Sequence, residues 1–143
     1  MRVLITGGCG FIGSAVVRHL INDTDHEVIN VDKMTYAATE GSVAEVADNE
    51  RYHHLKIDIC DGAAVEAAFL DHQPDAVMHL AAESHVDRSI DGPEQFLQTN
   101  IVGTLHLLQA ARSLMPARPD GGAGFRFLHV STDEVFGALA HGD

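Results

Sequence analysis

Three groups of residues have the types and spacing to do chemistry. The first is Thr6-Gly7-Gly8-Cys9-Gly10-Phe11-Ile12-Gly13, where an apolar run over 3–5 breaks into spaced glycines that open an amphipathic segment over 11–22. A strand, a tight glycine turn and a helix, in that order, bring bare backbone N–H groups and a helix N-terminus to one point, which suits the diphosphate of a dinucleotide. The spacing can be read as Gly8, Gly10, Gly13 or as Gly7, Gly10, Gly13. The second is Asp32, nineteen residues past Gly13 at the end of the apolar run 28–31, where a carboxylate can accept both hydroxyls of a ribose. The third is the adjacent pair Asp133-Glu134 after the last apolar run, which reads either as a helix cap facing solvent or as paired carboxylates in a cleft.

The elements that must position these groups alternate. After Asp32 come a polar loop over 33–39 and a short helix-like stretch over 42–47. A strand over 51–57 ends in Asp58-Ile59, a helix over 62–72 with Ala63, Val65, Ala68 and Phe69 on one side stops at Gln73-Pro74, and a strand over 76–80 follows. The segment 81–89 is too polar to be buried without work to do. A long helix over 93–115 begins at Gly92-Pro93 and carries two apolar stripes, one containing Leu97, Ile101, Thr104, Leu108, Ala111 and Met115, the other Phe96, Leu107 and Leu114, which calls for two packing partners. Asn100 and Gly103 cost helix propensity inside it, so each needs a packing or hydrogen-bonding reason. The Pro/Gly-rich 117–124 reads as a surface loop before a fifth strand over 125–130.

Alternating strands and helices predict an α/β fold: a Rossmann-type doubly wound parallel sheet, strand order 3-2-1-4-5, helices on both faces. In such a sheet the segments after the strands converge beyond the carboxyl ends, so residues 7–13, 32–35, 58–59, 81–84 and 131–134 are expected in one cleft.

Composition narrows the partners. The chain has 143 residues, 45% hydrophobic and 21% charged, which is ordinary for a globular domain. Nine basic against twenty-one acidic residues give a net charge of −12, so nucleic acid and anionic membranes are poor partners. A diphosphate would be held by backbone dipoles more than by a basic field. No apolar run approaches the ~20 residues of a membrane span, and the first strand starts too early to leave room for a signal peptide. Cys9 and Cys60 read as reduced packing residues, and the ten histidines, none at a ligand spacing, as scattered surface and loop residues with no metal site. A cytoplasmic protein is the expectation.

Thr6 to Gly13 with Asp32, Asp58 and Leu80-Ala81-Ala82 resembles the extended short-chain dehydrogenase/reductase superfamily. Within it, the stretches 32–37, 81–89, 99–104 and 131–137 resemble the dTDP-glucose 4,6-dehydratases, over all 143 residues but less than half of a full-length member. The resemblance implies that Gly7, Gly10, Phe11, Ile12 and Gly13 cradle the diphosphate of NAD, that Asp32, Lys33, Met34 and Thr35 hold the adenosine ribose, and that Asp58 and Ile59 border the adenine. It places Leu80, Ala81, Ala82, Glu83, Ser84 and Thr99 along the cofactor's other half, and Ser84 and Thr132 on a dTDP-glucose substrate. Thr132, Asp133 and Glu134 become catalytic, with Asp133 the acid and Glu134 the base. The implied reaction oxidises the sugar at C4, eliminates water across C5 and C6, and returns the hydride to C6. Neighbouring carboxylates repel, so one keeps its proton while the other ionises, as those roles require. Lys33 could meet a 2′-phosphate, but an acid directly after the strand favours NAD over NADP.

The superfamily's Tyr-x-x-x-Lys helix, which follows strand 5, is not within 1–143; the expectation is an incomplete NAD-binding domain without its sugar-nucleotide domain. Tyr52-His-His-Leu-Lys56 matches that pattern literally, but on a strand residues four apart stand ~13 Å apart, so it cannot substitute. Related 4-epimerases, other 4,6-dehydratases, and a non-catalytic NAD-binding module remain as alternative readings. The resemblance also implies a homodimer for the full-length protein, pairing through the second stripe of the 93–115 helix, with burial of that stripe by residues outside this sequence an equal alternative. Arg88 is expected to pair with Asp87 or Asp91, and strand 5 to leave an apolar edge that weakens the fold.

Overall fold

A computed structural model describes residues 1–85, 90, 92–132, 135 and 137. Five parallel strands form one sheet in the order β3-β2-β1-β4-β5: β1 (Arg2–Thr6), β2 (Glu27–Val31), β3 (Tyr52–Leu55), β4 (Ala76–His79) and β5 (Arg126–His129). This is the predicted doubly wound sheet and order. Helix α1 (Phe11–Asp23) and a 3-10 segment (Glu40–Val46) pack on one face; α2 (Gly62–His72) and the long α3 pack on the other. α3 runs through Pro93–Phe96, a π-wound Leu97–Gly103 and Thr104–Leu114 without a break in helical backbone.

The central strands carry the core. Leu4, Ile5, Val28 and Ile29 are fully enclosed because β1 and β2 are covered on both faces, so their side chains feed two separate apolar clusters. Each such side chain contributes about 2 kcal/mol. Two local devices tie the layers. Arg51 donates to the carbonyls of Ile21, Thr24 and His26 at 2.7, 2.7 and 2.9 Å, so one guanidinium closes the end of α1 against β3. Asp75 accepts from the Arg2 N–H and from Arg118, both at 2.8 Å, pinning the start of β1 to the loop before β5. Burial pushes the Asp75 carboxyl up, but Arg118 and the Arg2 amide outweigh it and hold the group below the usual carboxylate range.

Several expectations are refined. The third strand stops at Leu55, where the Ile57 N–H turns back to the Leu55 carbonyl. Ala63 of α2 is exposed, while Val65, Ala68 and Phe69 are buried. α3 is two-sided, as its stripes required, but the stripe expected to meet a partner subunit is the inner one: its Leu107 and Leu114 are buried in the core, and the first stripe's Leu97, Ile101 and Leu108 face outward. Thr99, Gly103, Leu107, Ala110, Ala111 and Leu114 face the core, so Ala111 belongs to the inner stripe. Leu97, Ile101, Leu105 and Leu108 lie about half exposed on the outer one. The two awkward residues have their reasons. A Cβ on Gly103 would lie 2.6 Å from the Ile59 side chain, and the Asn100 carboxamide accepts from the Glu83 N–H at 2.9 Å and donates to the Glu83 carbonyl at 3.0 Å. One correction concerns the histidines: His79 is a core residue at 1% exposure. Asp87, Arg88 and Asp91, and with them their expected pairing, lie outside the described residues.

Candidate functional site

A cleft of about 410 Å³ opens beyond the carboxyl ends of β1, β2 and β4. Its floor is the glycine turn. Gly7 has φ +73°, a left-handed conformation, and a Cβ there would sit 2.9 Å from the Ala81 backbone. Gly13 admits no side chain either, since its Cβ would lie 2.1 Å from the Gly7 carbonyl oxygen, so α1 starts against the turn itself. Gly8 instead packs on Asn30, which settles the open spacing: Gly7, Gly10 and Gly13 line the cleft and Gly8 faces the core. Gly10 is the extended residue before α1, whose first turn has neither a side-chain cap nor an acid, leaving its N–H groups and dipole directed at the cleft.

Asp32 is buried and accepts the Cys9 N–H on Oδ2 at 2.9 Å and the Met34 N–H on Oδ1 at 2.8 Å. It thereby ties the glycine turn to the loop after β2, and each oxygen keeps a further lone pair for a ligand hydroxyl. That loop folds back over the turn, with the Thr39 N–H donating to the Cys9 carbonyl and Met34 at φ 61°. Lys33 stands 3.6 Å from Asp58 and 3.8 Å from Glu83, and Glu83 also receives Tyr36 and Gln95. Burial raises the Asp58 carboxyl, but the Cys60 N–H at 2.9 Å and Lys33 hold it below the usual range.

A buried polar relay fixes the wall after β4. Thr6 Oγ1 accepts the Leu80 and Ala81 N–H groups at 3.2 and 3.1 Å, so its proton goes to His79 Nδ1 at 2.7 Å. Thr104 donates to the Asn100 carbonyl at 2.8 Å, so it accepts from His79 Nε2 at 2.9 Å. This assigns a neutral imidazole with its proton on Nε2. Burial, and secondarily His129 stacked at 5.0 Å, lower the His79 pKa to about 4. Through Asn100 the relay reaches Glu83, so strands β1 and β4, helix α3 and the cleft wall form one connected network.

Of the residues singled out in the sequence, Gly7, Gly10, Phe11, Ile12, Gly13, Asp32, Lys33, Thr35, Ile59, Leu80, Ala81, Ala82, Glu83, Ser84 and Thr99 line this cleft. Asp58 stands behind Lys33, and Met34 packs into the core beneath α1. Thr132 is exposed, its carbonyl accepting the Val135 N–H at 3.4 Å; Asp133 and Glu134 lie outside the described residues. Sequence reasoning missed Val31, Ala37, Ala38, Ile57, His85 and Val130 as lining residues. Val31, Ile57 and Val130 flank strand ends already implicated, whereas Ala37 and Ala38 arrive through the fold-back of the 33–39 loop, which no local pattern signals. The literal Tyr52–Lys56 match is structural: the Tyr52 hydroxyl is buried against Asn30 at 2.8 Å, and burial raises its pKa, the wrong direction for a base. Cys9 and Cys60 are free thiols. Among the described residues no cluster of His, Cys, Asp or Glu could hold a metal ion, and no helix is long and apolar enough to cross a membrane.

Comparisons with known proteins agree with this architecture. The chain is 60% identical over its whole length to dTDP-glucose 4,6-dehydratase 1 of Escherichia coli K12, and 57% identical over 99% of its length to the dTDP-glucose 4,6-dehydratase of Neisseria meningitidis. It spans about 40% of the length of these relatives. Among solved structures it matches a dTDP-glucose 4,6-dehydratase of Streptomyces venezuelae with NAD and TYD bound, at 43% identity and TM-score 0.82, over 99% of this chain and 42% of that one. A UDP-glucose 4-epimerase of Thermotoga maritima matches at 32% identity and TM-score 0.78, over 92% of this chain and 38% of that one. The GDP-mannose 4,6 dehydratase family profile aligns with residues 4–142, nearly the entire sheet and cleft just described, and the chain belongs to that family.

Proposed function

We propose that this chain is the NAD-binding part of an NAD-dependent dehydratase acting on dTDP-glucose. The observation that carries the reading is the cleft itself: a glycine turn with no room for a Cβ at Gly7, Gly8 or Gly13, the uncapped start of α1, and the doubly anchored Asp32 meet at the switch point of the sheet. The residues present fit the dinucleotide. Gly7, Gly10, Phe11, Ile12 and Gly13 offer backbone N–H groups to its diphosphate, Asp32 and Thr35 its adenosine hydroxyls, and Ile57, Ile59, Leu80, Ala81 and Ala82 an apolar lining. When bound, NAD would supply the hydride acceptor for the sugar's C4 and the hydride donor for C6, the proton of the C4 hydroxyl passing to the tyrosine of the superfamily's Tyr-x-x-x-Lys pattern, which is not within residues 1–143.

The chain's own groups have separable tasks in this reading. Ser84 and Thr132 hold the sugar; Asp133 protonates the departing C6 hydroxyl while Glu134 removes the C5 proton. The exposed N-terminus of α1 compensates a cleft whose charged lining is Asp32, Lys33 and Glu83, net negative, so the diphosphate is held by peptide dipoles. The partners follow: a dTDP-sugar, with a homodimer formed through the outer stripe of α3, where Leu97, Ile101, Leu105 and Leu108 are exposed.

Titration calorimetry of NAD⁺ into the chain tests the reading. Saturable binding at one site, abolished by Asp32→Ala, is expected. No binding, or binding indifferent to Asp32, overturns it. Within a protein of the relatives' length, Asp133→Asn and Glu134→Gln are expected to keep NAD⁺ binding and lose release of water from dTDP-glucose.

A further inference from the structure

Lys33 directly follows the acid that faces the ribose, the position from which a cation could accept a 2′-phosphate. Its ammonium is committed elsewhere. It lies between Asp58, 3.6 Å away at the end of β3, and Glu83, 3.8 Å away in the wall after β4, and only 24% of its side chain is exposed. Glu83, the buried acid, is not free to release it. The Glu83 side chain is 6% exposed, its backbone is fixed on both sides by Asn100, and its carboxylate receives Gln95 and Tyr36. Asp58 is fixed by the Cys60 N–H. A buried carboxylate such as Glu83 needs a compensating charge, so moving Lys33 towards a ligand would strand it. Resting on the dinucleotide reading above, we propose that Asp58 and Glu83 are specificity-determining residues that hold Lys33 away from the ribose 2′ position and so select NAD over its 2′-phosphorylated counterpart.

The contact of Asp32 with the ribose is only one part of this selection. Asp32 repels a 2′-phosphate from one side, but a neighbouring free lysine would partly offset that repulsion. Two further carboxylates cancel the lysine and leave the site with an excess of negative charge, to which a dianionic phosphate adds. Selectivity therefore depends on residues from three strand ends, and Asp58, which does not line the cleft, acts through Lys33.

The test compares calorimetric affinities for NAD⁺ and NADP⁺ in the wild-type chain, Asp58→Asn/Glu83→Gln, and the same pair in a Lys33→Met background. The amides remove the charges and keep one acceptor oxygen each, enough for the Cys60 N–H at Asp58 and for one of the two donors, Tyr36 and Gln95, at Glu83. The expected result is a shift of the NAD⁺/NADP⁺ affinity ratio towards NADP⁺ by about tenfold or more in the double variant, and a shift several-fold smaller once Lys33 is gone. An unchanged ratio overturns the proposal, including the case where both affinities fall together as a purely structural role would produce. An equal shift with and without Lys33 overturns it too, since the acids would then act by repulsion alone. If wild type binds neither dinucleotide, the reading under Proposed function fails and this inference falls with it; wild-type NAD⁺ binding with an unchanged ratio sinks the inference alone.

Discussion

Replacing His79 with glutamine should flatten the acid side of the stability profile, and the size of the effect follows from the relay. In the folded chain Nδ1 must accept the Thr6 proton, because that hydroxyl's acceptor sites are taken by two N–H groups. Protonating Nδ1 would set a donor against a hydroxyl that can no longer accept well, inside a site with 1% exposure. The folded pKa is thus depressed, to about 4 from an ordinary 6.5. The unfolded chain binds the proton first as pH falls, so this stabilisation is complete above the unfolded value and is lost between pH 6.5 and about 4. The total is about 3 kcal/mol, of which about 2 kcal/mol disappears between pH 7 and pH 5. Urea unfolding at those two pH values measures it. Asp58 and Asp75, also depressed, titrate in both proteins and cancel in the comparison. The wild type should lose about 2 kcal/mol more than His79→Gln over the interval. Equal losses would refute the neutral relay, whatever the variant's stability at pH 7.

Gly13→Ala places a Cβ 2.1 Å from the Gly7 carbonyl oxygen, so α1 must shift; a stability loss of about 2 kcal/mol by urea unfolding and a larger loss of NAD⁺ affinity by calorimetry are expected. Arg51→Met removes donors from three carbonyls at the end of α1 and should cost about 3 kcal/mol in urea unfolding, with the dinucleotide site's selectivity unaltered. Asn100→Leu unpairs both backbone groups of Glu83, costing about 2 kcal/mol and raising amide hydrogen exchange in the 81–85 wall more than in β1. Tyr52→Phe should cost about 1 kcal/mol through its Asn30 bond and leave NAD⁺ binding intact; loss of binding would return Tyr52 to the site.

The sheet was legible in the sequence because each of its signals is local. Unalternating runs such as Val3-Leu4-Ile5 mean burial on both faces, and helical segments between them force right-handed crossovers, so the 3-2-1-4-5 order follows with few competitors. Most of the cleft was legible for the same reason: in this topology, finding the strand ends finds the site. What escaped was built from long-range polar partners. His79 reads as one histidine among ten, and only the meeting of β1, β4 and α3 shows that Thr6 and Thr104 clamp its two nitrogens. Lys33 reads as a cation beside a ribose until Asp58 and Glu83, twenty-five and fifty residues away in sequence, are seen on either side of it. A strand of four residues carries an apolar pattern whether or not a ligand exists, but a histidine held neutral and a lysine held by two acids have no apolar equivalent. Each exists only because the chain returns to the same place, and in both cases the returning residue brings a hydrogen bond or a charge rather than a methyl group. Packing therefore set the scaffold within a few residues of each strand, while the chemistry of the cleft is set by pairs that the packing brings together from distant positions.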